Sequence, residues 1–129
     1  AGLFSNAREV GRIYQMLLNG GELDGRRYLS KETCALFTTE TSKISRRGLG
    51  FDKPDVVTES KSPCAASVPV TVYGHTGFTG TCAWVDPDNG LIYVFLSNRT
   101  YPDAWVNKLS KLEIREKIQE TIYEAMKEK

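Results

Sequence analysis

The sequence predicts an α/β domain in which an antiparallel sheet is sandwiched between helices, and three observations predict it. Apolar residues recur at helical intervals near both ends of the chain, and the pattern switches to short strand-like runs from Leu49 onward. One of these runs, Leu91-Ile92-Tyr93-Val94-Phe95-Leu96, is apolar on both of its alternating faces. A strand with one wet face alternates apolar with polar residues, so this one has to be covered on both sides, and helices are the available cover.

The elements follow in chain order. Ser5 or Asn6 can cap a helix over 5–19: Asn6-x-x-Glu9 has capping-box spacing, Val10, Ile13, Tyr14, Leu17 and Leu18 form its stripe, and Gly20-Gly21 ends it. A polar stretch with a turn at Asp24-Gly25 leads to Leu29-Ser30, which opens a short helix over 30–37, with Leu29 and Cys34 as its staple. Residues 38–47 read as a polar loop. Strands are expected at about 49–51, 68–74, 81–86 and 91–97, with Pro63 and Pro69 limiting the second. Asp86-Pro87-Asp88-Asn89-Gly90 joins the last two as a hairpin, since Pro87 presets its φ and Asn89 and Gly90 tolerate positive φ. A final helix over about 103–126 presents Ile114, Ile118, Ile122, Ala125 and Met126 along one stripe. The first and last helices are expected to share a face of the sheet.

Size and charge narrow the function classes. At 129 residues the chain can hold one domain with its own core. Lys plus Arg total 17 and Asp plus Glu 16, a formal charge of +1 that provides no field for steering toward nucleic acid or an anionic membrane. No apolar run approaches the ~20 residues that span a bilayer, and Ala1-Gly2-Leu3-Phe4-Ser5 has neither a basic n-region nor a signal-like apolar run. The partner this leaves is a small-molecule or peptide substrate. Cys34, Cys64 and Cys82 are an odd set without Cys-x-x-Cys spacing, which argues against a zinc site. They read as core or loop thiols, and a Cys64–Cys82 bridge is the alternative for an exported protein.

Chemistry concentrates in Tyr73-Gly74-His75-Thr76-Gly77-Phe78-Thr79-Gly80, which places three glycines and the only histidine at the end of a strand. Clustered glycines mark a bulge or a place where another backbone or a ligand comes close. Beyond the hairpin lies Ser97-Asn98-Arg99-Thr100-Tyr101-Pro102, which also contains a formal glycosylation sequon.

Together these segments resemble the last active-site wall of class C β-lactamases and the related esterases and D-amino peptidases, within the serine β-lactamase and penicillin-binding-protein superfamily. His75-Thr76-Gly77 matches the third motif, Lys-Thr-Gly or His-Thr-Gly, on an edge strand. Ser97 to Pro102 matches the small-residue-Asn-basic-x-Tyr-Pro run, and Ala1 to Ser5 with the following helix is similar to the segment that precedes the wall. The resemblance implies a partial β-lactamase/transpeptidase-like fold with the whole chain, 1–129, as the C-terminal section of a larger hydrolase domain. It implies that His75 and Thr76 face the substrate, that Gly77 lets substrate lie against the strand, and that the Phe78 backbone N–H is an oxyanion-hole donor. Asn98, Thr100 and Tyr101 are implied as substrate contacts. Histidine in place of lysine, and Asp103 just beyond Pro102, point away from lactams and toward an esterase or peptidase-like activity. No cofactor or metal is implied, and the superfamily is commonly exported to the bacterial periplasm or envelope.

The nucleophile is missing from the sequence. The superfamily's serine stands in Ser-x-x-Lys and its activating tyrosine in Tyr-x-Asn, and neither pattern occurs. Ser42-Lys43 and Ser110-Lys111 have the wrong spacing, because a lysine one helical turn after the serine is needed to share its face. Gly-x-Ser-x-Gly, His-Glu-x-x-His and P-loop patterns are also absent. The expectation is a hydrolase whose upstream part supplies the nucleophile, with the isolated chain inactive and self-associating through the sheet edge and apolar surface that the upstream part covers. Two alternatives stand beside it: a catalytically inactive module that binds a peptide or cell-wall fragment in the same groove, and a structural appendage of a larger enzyme.

Overall fold

A computed structural model describes residues 2–39, 42–55 and 62–127. Helix α1 runs Ala7–Leu18 and starts where the Asn6 side chain accepts the Glu9 N–H at 3.0 Å. A tight hairpin follows, β1 Glu22–Leu23 against β2 Arg26–Arg27, with Asp24 at φ 52° and Gly25 at φ 74°. Positive φ at both central residues suits the right-handed twist of the flanking strands. These two short strands were not expected, because four residues of mixed polarity carry no period. Helix α2, Lys31–Thr38, begins at Ser30, whose hydroxyl accepts the Thr33 N–H at 3.1 Å.

The main sheet has the order β3-β4-β5, with β3 Tyr73–Thr76, β4 Cys82–Asp86 and β5 Leu91–Phe95, all antiparallel. The architecture is α/β, an antiparallel sheet between helices. Three strand expectations need correction. Residues 49–51 form no strand; only the neighbouring Asp52 bridges β3, exchanging both backbone hydrogen bonds with Gly74 at 2.7 and 3.0 Å. The strand expected over 68–74 starts at Tyr73, because the Val72 N–H bonds back to the Pro69 carbonyl at 3.1 Å and turns the chain there. The last strand ends at Phe95 rather than residue 97.

Register assigns the faces. His75 pairs with Ala83 and Tyr73 with Val85, whereas Trp84 pairs with Tyr93 and Cys82 with Phe95, so alternation puts the first four residues on one face and the second four on the other. On the first face α1 docks through Tyr14, whose ring centroid lies 6.0 Å from Phe51, itself 5.3 Å from Tyr73. On the second, Cys64, Val72, Cys82, Trp84 and Tyr93 form a buried cluster, and Ile122 of the C-terminal helix packs against it. The Trp84 indole is 2 % exposed, and truncating such a side chain costs about 3–5 kcal/mol. The first and last helices therefore cover opposite faces, not a shared one.

The C-terminal helix is also broken. Helix α3 covers Lys108–Lys111 and α4 covers Ile114–Lys127, with Glu113 between them at φ 56°. The buried stripe of α4 is Arg115, Gln119 and Tyr123, while Ile118, Ala125 and Met126 are exposed. This rotation follows from polar partners that hydropathy does not register. Gln119 Oε1 accepts the Ala65 N–H at 3.0 Å, the Tyr123 hydroxyl donates to Asp86 at 2.6 Å, and the Arg115 carbonyl accepts the Tyr93 hydroxyl at 3.2 Å. Leaving such groups buried without partners costs about 1–3 kcal/mol each.

Cys34, Cys64 and Cys82 are all buried free thiols, so the Cys64–Cys82 bridge is not formed although both side chains share one cluster. Burial pushes the Cys82 thiol up to about 11 and raises that of Cys64. Among the described residues no helix is long and apolar enough to cross a membrane.

Candidate active site

Strand β3 ends at Thr76, and the chain turns through Gly77-Phe78-Thr79-Gly80 into β4. The turn is closed by the Gly77 N–H on the Thr81 carbonyl at 2.7 Å and the Gly80 N–H on the Gly77 carbonyl at 2.9 Å. A Cβ at Gly77 would lie 2.3 Å from Thr81 Oγ1, so a side chain there would force that hydroxyl to move. Gly74 is constrained more firmly, since a Cβ there would lie 2.0 Å from the backbone carbonyl oxygen of Ala83.

The segment after β5 braces this turn from one side. Arg99 donates its backbone N–H to the Thr79 carbonyl at 2.9 Å and its Nε–H to the Phe78 carbonyl at 2.8 Å, and its guanidinium stands 4.5 Å from the centre of the Phe78 ring. Its Nη1 also donates to the Ala104 carbonyl at 2.8 Å, and the Ser97 hydroxyl donates to Thr79 at 3.2 Å. The Phe78 carbonyl is thus fixed. Among the described residues the Phe78 N–H has no hydrogen-bond acceptor. An amide held by its neighbours and free to donate is the kind of group that stabilises an oxyanion.

His75 and Thr76 sit on β3 beside this turn, both partly buried, and fall on opposite faces of the sheet by register. His75 Nδ1 lies 2.6 Å from the Thr76 carbonyl and Nε2 lies 3.0 Å from Arg47 Nη1. Of the second group, Asn98 Oδ1 accepts the Thr100 hydroxyl at 2.6 Å, and Tyr101 is exposed. Asn98 and Tyr101 line an open depression of about 520 Å³, with Arg99, Asp103 and Val106 also in its wall. His75 to Phe78 are not in that wall; the two groups meet at the turn, through Arg99.

Sequence reasoning missed Arg47 and Asp52. Asp52 is buried and accepts a hydrogen bond from Arg46 Nη2 at 3.0 Å, with Arg46 Nε and Arg47 Nη2 beside it as ion-pair contacts at 2.8 and 3.8 Å. The only signal for them was opposite charge clustered around a short glycine-containing turn. Nothing in that spacing points to His75, which is 28 residues from Arg47.

The description Beta-lactamase belongs to the protein family that matches residues 1–114 of the chain. The chain belongs to the beta-lactamase family. Relatives include a "Putative D-alanyl-D-alanine carboxypeptidase" of Escherichia coli O157:H7, 38% identical over 101 residues. Proteins of that name from Escherichia coli strain K12 and Salmonella agona strain SL483 are 37% and 34% identical over the same length. Each alignment covers 78% of this chain and 23% of the relative, so the chain spans about a quarter of the length of the curated relatives it matches. The family is one of serine hydrolases, and membership in it agrees with the α/β architecture.

Proposed function

We propose that this chain forms the substrate-facing wall of a serine hydrolase that works through an acyl-enzyme on an ester, amide or lactam carbonyl. The nucleophile comes from polypeptide outside these 129 residues. The observation that carries the reading is the Phe78 N–H, whose peptide plane is held by the Gly80 N–H on the Gly77 carbonyl and whose turn is braced by Arg99 at the Phe78 carbonyl; it has no acceptor among the described residues, in a chain of beta-lactamase-family sequence. The attacked carbonyl oxygen would gain charge in the tetrahedral intermediate, and a preplaced N–H is worth about 3 kcal/mol of barrier there. His75, Thr76 and Gly77 would shape the strand against which substrate lies, and Asn98, Thr100 and Tyr101 its far side.

A peptidase-like activity is favoured over lactam hydrolysis, because histidine stands where the lactamases carry lysine and because the relatives are named as carboxypeptidases. A place in the bacterial envelope accompanies that reading. The test is a fluorophosphonate probe applied to the full-length protein and to the 129-residue chain. The reading expects one adduct in the full-length protein, on the serine of a Ser-x-x-Lys outside this chain, and none in the chain alone. Stoichiometric labelling of a serine within the chain would overturn it. A full-length protein that neither reacts nor turns over esters would leave the peptide-binding module as the function.

A further inference from the structure

The two peptide planes that flank Phe78 are each fixed by one hydrogen bond. On one side the Gly77 carbonyl accepts the Gly80 N–H at 2.9 Å, and on the other the Phe78 carbonyl accepts the Arg99 Nε–H at 2.8 Å. The first bond is internal to the turn. The second comes from a side chain with a further attachment.

Arg99 Nη1 donates to the Ala104 carbonyl at 2.8 Å, so one planar guanidinium joins the Phe78 carbonyl to a second backbone segment. Its own place is set from three more sides. The Arg99 backbone N–H holds the Thr79 carbonyl at 2.9 Å, and the guanidinium stands 4.5 Å from the centre of the Phe78 ring. The aliphatic stem lies against Gly80, where a Cβ would come within 3.0 Å of Arg99 Cγ.

Ala104 belongs to a small turn of its own, from Asp103 to Val106. The Val106 N–H bonds to the Asp103 carbonyl at 3.3 Å and the Trp105 N–H to Asp103 Oδ1 at 2.9 Å, and the turn so closed presents the Ala104 carbonyl to Arg99. Asp103 and Val106 line the depression of about 520 Å³, and Arg99 lies in the same wall. The depression and the turn that carries the candidate oxyanion donor therefore share one side chain. Lysine could not replace it, because an ammonium is a point charge on a flexible stem and lacks the planar donors that reach two carbonyls in fixed directions.

Resting on the serine-hydrolase reading, we infer that Arg99 is a positioning residue for the reaction: it ties the Phe78 peptide to the Asp103–Val106 turn, so that the group filling the depression acts on turnover through the oxyanion donor and not on binding alone. Arg99 acts through Phe78 rather than on the reacting atoms. A donor for developing charge works to the extent that it is placed beforehand, so loosening Arg99 costs rate more than affinity.

The experiment measures kcat and KM for a chromogenic ester in the full-length protein and in Arg99→Ala, Arg99→Lys, Asp103→Ala and the double variant Arg99→Ala/Asp103→Ala. Arg99→Ala should lower kcat about ten- to hundredfold, short of the loss for removing an oxyanion donor outright, with KM changed far less. Arg99→Lys keeps the charge and should recover little of this. Full recovery by lysine would make the effect one of charge and overturn the assignment, as would a loss confined to KM. Asp103→Ala opens the second turn and should lower kcat about three- to tenfold with Arg99 present, but cost nothing further in the double variant. Additive losses would sink the coupling. A second arm needs no turnover. In the ¹⁵N-labelled 129-residue chain, Asp103→Ala should shift the Phe78 amide resonance, and in an Arg99→Lys background it should leave that resonance in place. No shift with Arg99 present, or an equal shift in both backgrounds, would show that Arg99 does not link the turns. If the full-length protein turns over no ester, the hydrolase reading fails, and the amide shifts still decide whether the two turns are coupled through Arg99.

Discussion

Raising the pH should unfold this chain over a narrow interval, because its cores are built around acidic protons. Burial pushes up the phenols of Tyr73, Tyr93 and Tyr123 and raises that of Tyr14 to about 12; in Tyr123 the hydrogen bond to Asp86 adds to the effect. The thiols of Cys64 and Cys82 are raised by the same cause. In each case the charged form is the deprotonated one, so between the ordinary and the folded value the folded state holds a proton that the unfolded state has released. Stability contributed by these groups is complete below their ordinary values, 9.0 for the thiols and 10.0 for the phenols, and is lost as pH rises above them. Each fully buried group adds a slope of about 1.4 kcal/mol per pH unit. Tyr14, partly exposed, adds less. By pH 11 the accumulated loss is on the order of 10 kcal/mol, the size of a whole domain's stability. The assay is urea unfolding from pH 7 to 10.5, followed by the fluorescence of Trp84 in a Trp105→Phe background, since Trp105 is 95% exposed and Trp84 is 2%. Tyr123→Phe should cost about 1.5–3 kcal/mol at pH 7, where the bond to the Asp86 carboxylate is lost, and should flatten the alkaline slope by one group. A urea midpoint that stays level between pH 9 and 10.5 would refute the reasoning.

In the full-length protein, His75→Ala should lower turnover of a chromogenic ester by about ten- to hundredfold through loss of its polar contacts, and Thr76→Val should lower it less; a near-wild-type rate for His75→Ala would place it outside the site. Gly77→Ala should destabilise the chain by about 1–3 kcal/mol, as overpacking does, and Thr81→Ala should rescue most of that loss, because the added methyl would meet Thr81 Oγ1; additive losses in the denaturation cycle would contradict the contact. The outer edge of β5 has no strand partner among the described residues, so the chain should self-associate with rising concentration through a two-fold contact; sedimentation equilibrium giving a strict monomer over a hundredfold range would refute this.

The parts of the fold that were legible in the sequence are those fixed by local chemistry. Asn6 and Ser30 cap their helices because each stands three residues before an N–H it can accept. The hairpin between β4 and β5 was readable from its turn residues, although the roles differ in detail: only Gly90 takes positive φ, at 64°, while Asn89 donates from its backbone and side chain to Asp86 at 3.1 and 2.7 Å. The illegible parts depend on distant partners. Nothing local marks the break at Glu113, which lacks both glycine and proline, and the α4 stripe was misplaced because Arg115, Gln119 and Tyr123 are buried by bonds to loops and strands far off in sequence. The site divides in the same way. His75 to Phe78 stood out by glycine density, whereas Arg47 and Asp52 become neighbours of the wall only after the loop folds back on β3.

The polar stripe of α4 has a consequence for the wall. Arg115 is buried, and its Nη1 lies 3.5 Å from the Gly80 carbonyl and 3.4 Å from that of Thr81, while its Nη2 lies 3.4 Å from the Ser110 hydroxyl of α3. Thr81 in turn accepts the Gly77 N–H, one residue before Phe78. A continuous set of bonds therefore runs from the broken C-terminal helix to the base of the turn that carries the candidate oxyanion donor, and Arg99 holds the same turn from the opposite side. A donor for developing charge is effective to the extent that it does not reorganise. An apolar stripe on α4 would bury as much surface yet supply no hydrogen bonds to the carbonyls of Gly80 and Thr81. The residues that made α4 hard to read from hydropathy are thus the ones that couple its position to the geometry of the Phe78 amide.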